Sequence, residues 1–142
     1  MRTIALRYGE HFAPSCGTIA AHQRIIDELG YVWYGKLGTR VSDKMCGIIM
    51  SQESPKILLI CSGKKDRYWA YIDQISNSRP GKGEFPDYYQ DKAEQIRTWF
   101  RISLFEKASK DIMSVCTVSS SGNSLSETSK HSMSPYFIIE VH

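Results

Sequence analysis

Apolar positions along the chain alternate between a helical and an extended period, and each change of period marks a new element. Ile19, Ile25, Ile26 and Leu29 fall on one helical face. Thr18 stands before them as a cap and Gly30 directly after as a stop, so residues 18–29 are predicted to be a helix. The aromatic and β-branched run 31–34 that follows reads as a strand, and Gly35 and Gly38 then place Lys36 and Leu37 in a turn. Ser42 opens a second helix, with Asp43 in its first turn and Met45, Ile48 and Ile49 on its buried side. Pro55 ends the connection. Residues 56–62 form a short apolar run between Pro55 and Gly63, which reads as a central strand. A loop over 62–66 turns the chain into the alternating strand 67–75, giving a β-hairpin.

Residues 76–95 are polar and rich in turn formers, yet carry Phe85, Tyr88 and Tyr89. A loop with that aromatic content often has a function. Alternation returns over 95–105, then over the short stretch 115–118. A Ser- and Gly-rich segment with a short helix near Leu125 follows, and Pro135 precedes a last strand over 136–141. Residues 1–16 are read as irregular. Clustered strands with two early helices predict an α+β domain. Five or six short strands would lose their open edges by closing into a small barrel.

Composition narrows the class. A length of 142 residues suits one domain, taken here as 1–142, and the 42% hydrophobic and 23% charged fractions are those of an ordinary globular chain. The formal net charge of +3 tolerates phosphate but falls short of a dedicated electrostatic nucleic-acid binder, so specificity would come from a pocket. Cys16, Cys46, Cys61 and Cys116 have neither C-x-x-C nor zinc-finger spacing, so neither a metal nor a disulfide framework is expected. The N-terminal segment lacks the apolar stretch of a signal peptide, and the run 57–61 is far too short to cross a bilayer; cytoplasmic residence is the expectation.

The chemistry of catalysis is sparse. The chain contains no G-x-S-x-G, H-E-x-x-H or G-x-x-x-x-G-K-[ST] motif, and the Ser62-Gly63-Lys64-Lys65 stretch leads into a strand where a phosphate loop needs a helix. His22 reads as a surface or packing residue, and no catalytic residue or cofactor is assigned. The three tryptophans say more. A flat ring offers an apolar wall to a planar base. Trp99 reads as core, Trp69 suits core or pocket equally, and Trp33, beside a glycine-containing turn and a lysine, reads as a pocket wall.

The order of these landmarks resembles the PUA-like superfamily, in particular its EVE and YTH branches. The resemblance rests on Tyr31-Val32-Trp33 after a helix, the apolar strand ending at Ser62, the strand Tyr68-Trp69-Ala70-Tyr71-Ile72, the aromatic loop, and Thr98-Trp99-Phe100-Arg101-Ile102. It covers roughly residues 18–106 and implies a PUA-like small β-barrel with flanking helices. It further implies a base-binding pocket in which Trp33 is a cage wall, Ser62 the strand-end serine, and Phe85, Tyr88 and Tyr89 further walls. YTH domains place tryptophans in that loop, whereas this chain has phenylalanine and tyrosines. Lys36, Lys64, Lys65 and Arg67 are the expected phosphate contacts. The implied partner is DNA or RNA carrying a modified or flipped base. The alternatives are an ASCH-like small amidohydrolase acting on modified nucleosides, for which Lys36 and Thr39 would be relevant, or a protein-interaction module with a protein partner.

Overall fold

The computed structural model describes residues 1–142 except Phe12 and Ser62. Strands β1 (Arg2–Arg7), β2 (Val32–Lys36), β3 (Lys56–Ile60), β4 (Tyr68–Ser76), β5 (Thr98–Lys107), β6 (Cys116–Val118) and β7 (Tyr136–Val141) form one seven-stranded sheet. Its order is β2-β5-β4-β3-β1-β7-β6. Helices α1 (Thr18–Leu29), α2 (Asp43–Met50), α3 (Ile112–Val115) and α4 (Leu125–His131) lie between strands. Strands β1 and β3 pair in parallel and every other ladder is antiparallel. A parallel neighbour needs a long crossover, and the segment carrying α1, β2 and α2 supplies it.

Most of the expected elements are present. Gly30 adopts the left-handed conformation (φ 85°) and donates its N–H to the Ile26 carbonyl, closing α1. The Ser42 side chain accepts the Met45 N–H and opens α2. Ser42→Ala is therefore expected to cost about 1 kcal/mol, measurable as a lower midpoint in urea unfolding. The buried residues of α1 are Thr18 and His22, not the isoleucines, which are half-buried, while Leu29 is exposed.

Strand β1 corrects the reading of residues 1–16 as irregular. It lies between β3 and β7, with Ile4 and Leu6 on one face and Ala5 on the other. Ile57 and Leu59 of β3 join Ile4 and Leu6 in a core beneath α1 and α2; Leu58 and Ile60 join Ala5 in a second core with α3 and α4. A strand buried on both faces shows no polar alternation, which is why β3 reads as one apolar run.

The architecture is thus a mixed α/β sheet, and closure into a barrel is not observed: β2 and β6 end the strand order as edges. The edges are handled by covering. The Trp33 N–H of β2 donates to the Glu84 carbonyl at 2.8 Å, so the β4–β5 loop takes the place of a further strand. Strand β6 is only three residues long, and Thr117 on it bridges to Ser124.

Candidate nucleobase cavity

The β4–β5 loop packs onto β2 through its own side chains. Two single-turn 3₁₀ helices, Asp87–Tyr89 and Ala93–Gln95, give it shape. The Glu84 carboxylate accepts from the Tyr31 hydroxyl at 2.5 Å and from the Gly81 N–H at 2.8 Å, fastening the start of the loop. Phe85, Tyr89, Ala93 and Ile96 then bury themselves against Trp33 and Trp99. Phe85 and Trp99 lie 5.1 Å apart between ring centroids, and Tyr89 and Trp99 6.1 Å.

Alternation along β2 separates two neighbouring rings. Trp33 points to this packed cluster and is 8% exposed, whereas Tyr34 belongs to the core beneath α1. Beside Tyr34 lies a cavity of about 220 Å³. Tyr8, Tyr34, Tyr88 and Tyr89 give it four ring walls, and Lys36, Leu37, Lys92 and His11 also line it. Pockets for drug-sized ligands span roughly 300–1,000 Å³, so this one suits a single small ring system. A wider, more open groove of about 820 Å³ runs between α2 and the β6–β7 end, where Ser119, Ser120, Thr128 and Ser132 contribute hydroxyls. Stacking needs aromatic walls, and four tyrosines line the smaller cavity.

Behind those walls sits His22, fully buried. Its Nδ1 is 2.8 Å from the Thr18 carbonyl one helical turn back, so the neutral ring carries its proton there. Its Nε2 is buried with no partner among the described residues. Ring centroids of Tyr34, Tyr89 and Tyr88 lie 5.2, 5.6 and 6.4 Å away. Burial pulls the His22 pKa down to about 4, outweighing the opposing hydrogen bond to the Thr18 carbonyl. Burial also raises all four tyrosine hydroxyls, which therefore stay neutral at physiological pH. The Tyr88 hydroxyl approaches those of Thr18 and Tyr89 without a hydrogen bond of good geometry.

The expected site residues divide. Tyr88 and Tyr89 line the cavity; Phe85 and Trp33 stand in the cluster that supports Tyr89. Ser62 lies outside the described residues. Lys36 is on the cavity wall and only 4% exposed. Its ammonium donates to the carbonyls of Thr39 (2.5 Å) and Leu37 (3.2 Å) and lies 4.5 Å from the Tyr136 ring centroid. Burial lowers its pKa. Lys36 and Thr39 thus meet through a backbone carbonyl, not through the threonine hydroxyl. Lys64 is exposed, ion-paired with Glu10 at 3.1 Å, and Lys65 is exposed on the same turn. Arg67 lines a depression of its own together with Arg7, Lys64 and Lys130.

Sequence reasoning missed Tyr8 and Tyr34 as cavity residues, and His22 as the buried ring behind them. The available signal for Tyr34 was strand alternation, which sets it opposite Trp33. For Tyr8 it was the short apolar run just before it, once that run is recognised as a strand.

Among the described residues no helix is long and apolar enough to cross a membrane, and no cluster of metal-binding side chains occurs. A family model described as Pua-like matches residues 4–134. No curated protein and no solved structure matches the chain.

Proposed function

The chain belongs to the Pua-like family, and from that premise we propose that it binds nucleic acid by taking one modified or flipped nucleobase into the tyrosine-walled cavity. Domains of this family commonly bind nucleic acids. The observation that carries the finer reading is the convergence of Tyr8, Tyr34, Tyr88 and Tyr89 on one small cavity. Four tyrosines lining one small enclosure suit a planar heterocycle better than an extended peptide or a sugar.

Each group has a part. Tyr88 is half-buried and is the wall most open to an incoming base. Tyr89 is held from behind by Phe85 and Trp99, and Trp33 closes the same cluster, so these rings fix the wall without needing to touch the ligand. Lys64, Lys65 and Arg67 stand on or beside the β3–β4 turn, next to depressions that adjoin the cavity, where phosphates of the same strand would pass. Ser62, which lies outside the described residues, is the proposed partner for the edge of the base.

Binding to short oligonucleotides, followed by fluorescence anisotropy, tests the assignment. Tyr88→Ala removes one stacking face and is expected to weaken binding by about 1–3 kcal/mol. Lys64→Ala should weaken all sequences alike and reduce the slope of log K against log salt by about 1. If Tyr88→Ala binds as tightly as the parent chain, the cavity is not where the base goes.

A further inference from the structure

We propose that the tyrosine cavity selects a base that carries an acidic group on its ring, with the Lys36 ammonium as the counter-charge for that group. This rests on the base-cavity reading above and adds the chemical class of the base.

Lys36 is placed by the strand that carries Tyr34. Side chains two apart along β2 share a face, so Lys36 stands on the side of Tyr34 and lines the same cavity. It is only 4% exposed. Two of the three N–H bonds of its ammonium go to the carbonyls of Thr39 and Leu37, at 2.5 and 3.2 Å. The centroid of the Tyr136 ring lies 4.5 Å away. The ion pairs among the described residues all use other cations, so no carboxylate of these residues neutralises Lys36. A buried charge is normally paired, because taking an ion out of water costs more than a few dipoles return. Burial accordingly lowers the Lys36 pKa. Fastening two carbonyls does not call for a charge, since a neutral donor would do the same.

The cavity around this ammonium has charge of one sign. Arg7, Lys36 and Lys92 line it, and among the described residues no aspartate or glutamate does. The Glu10 carboxylate lines the adjoining depression, where Lys64 holds it at 3.1 Å. Four tyrosines offer their rings to a flat ligand, and their hydroxyls stay neutral, so they do not repel an anion.

The chemistry follows from that imbalance. A volume of about 220 Å³ admits one ring with a small substituent. An ionised substituent brings the charge that the site lacks, and in a low dielectric the resulting charge-assisted hydrogen bond is strong. An alkyl or amino substituent leaves Lys36 buried without a counter-charge. The phosphates of the strand itself are the other source of negative charge for Lys36, and they are the same whatever the base.

The test uses the full chain and one single-stranded oligonucleotide, as DNA and as RNA, made with three different central bases. These are 5-carboxycytosine, its neutral isostere 5-carboxamidocytosine, and 5-methylcytosine. Only the first carries a ring charge at neutral pH. Affinities are read by fluorescence anisotropy. The parent protein should bind the carboxyl strand about tenfold more tightly than the other two. Comparing carboxyl with carboxamide needs no variant, so it decides the matter even where a substitution at Lys36 unfolds the chain. Lys36→Gln, which keeps a donor for the Thr39 carbonyl, should shrink the preference to within about twofold. Equal binding of the three strands by the parent overturns the proposal, as does a preference that Lys36→Gln leaves intact. A loss on all three strands alike in Lys36→Gln assigns the ammonium to a backbone phosphate and overturns it as well. In each of these cases the base cavity stands while Tyr88→Ala still weakens binding. Full-strength binding by Tyr88→Ala overturns the cavity reading, and binding of no strand by the parent removes both.

Discussion

Replacing Trp99 by alanine is expected to cost about 3–5 kcal/mol of stability, the largest effect of any single substitution considered. Trp99 is fully buried on β5, directly opposite Gly35 of β2. Gly35 leaves room for it: a Cβ there would stand 2.6 Å from Ile96 Cδ1 and 3.0 Å from Trp99 Cζ3. The indole therefore fills the space that glycine vacates, and Phe85 and Tyr89 of the β4–β5 loop close over it. Truncation leaves a cavity between strand and loop that β2, paired to β5, cannot collapse to fill. Domains are stable by only about 5–15 kcal/mol, so the shift in urea midpoint should be large at unchanged slope. Tyr89 also walls the tyrosine-lined cavity proposed to take a base, so oligonucleotide binding is expected to fall with it. Trp99→Phe should cost markedly less. It keeps a ring in place and removes the indole N–H, which is buried without a partner among the described residues. A loss below about 1 kcal/mol for Trp99→Ala would mean that other contacts hold the loop.

Acid should destabilise the fold through His22, by up to about 3 kcal/mol between neutral pH and pH 4. The folded pKa of about 4 lies below the ordinary 6.5 because burial opposes the imidazolium. Below pH 6.5 the unfolded chain binds a proton that the folded chain refuses. Stability is therefore complete above 6.5 and declines as pH falls towards 4. His22→Phe, unfolded in denaturant at pH 7, 5.5 and 4.5, should flatten this decline. Glu10 acts in a lower window. Partial burial alone would raise its pKa, but hydrogen bonds from Thr18 and the Lys64 ammonium hold it below the ordinary 4.5, so its contribution is lost only as pH falls beneath that value. An acid slope between pH 6.5 and 5 that His22→Phe leaves unchanged would assign the loss to other groups. Because the folded chain keeps His22 neutral down to about pH 4 and the ring packs against Tyr34, Tyr88 and Tyr89, binding by the folded chain should hold through this interval and weaken only as pH falls to about 4.

Local chemistry made several features readable in advance. Gly30 can end α1 because only a residue without Cβ enters the left-handed region without strain, and Ser42 can open α2 because its hydroxyl satisfies a free N–H. The aromatic loop was legible because rings in a polar, turn-rich stretch must have somewhere to pack. Strand β1 was hidden for the opposite reason. Both its faces are covered, so its apolar residues follow no period, and Arg2 and Arg7 at its ends make it resemble a tail.

The sequence alone thus settled what is local: where α1 and α2 start or stop, the strands whose apolar runs stand between turn formers, and that Phe85, Tyr88, Tyr89 and the tryptophans form an aromatic reserve. Tertiary structure alone decided what depends on facing. Trp33 and Tyr34 are adjacent and both aromatic, and composition does not rank them. The pairing of β2 with β5 turns one towards the loop cluster and the other towards the cavity. The same holds for Tyr8 and His22, brought to Tyr34 from separate elements. It holds also for the sheet, whose β2 edge is covered by the Glu84 segment instead of being closed by another strand. A strand's period is written in its own residues; the side that faces a neighbour is set only when the neighbour arrives.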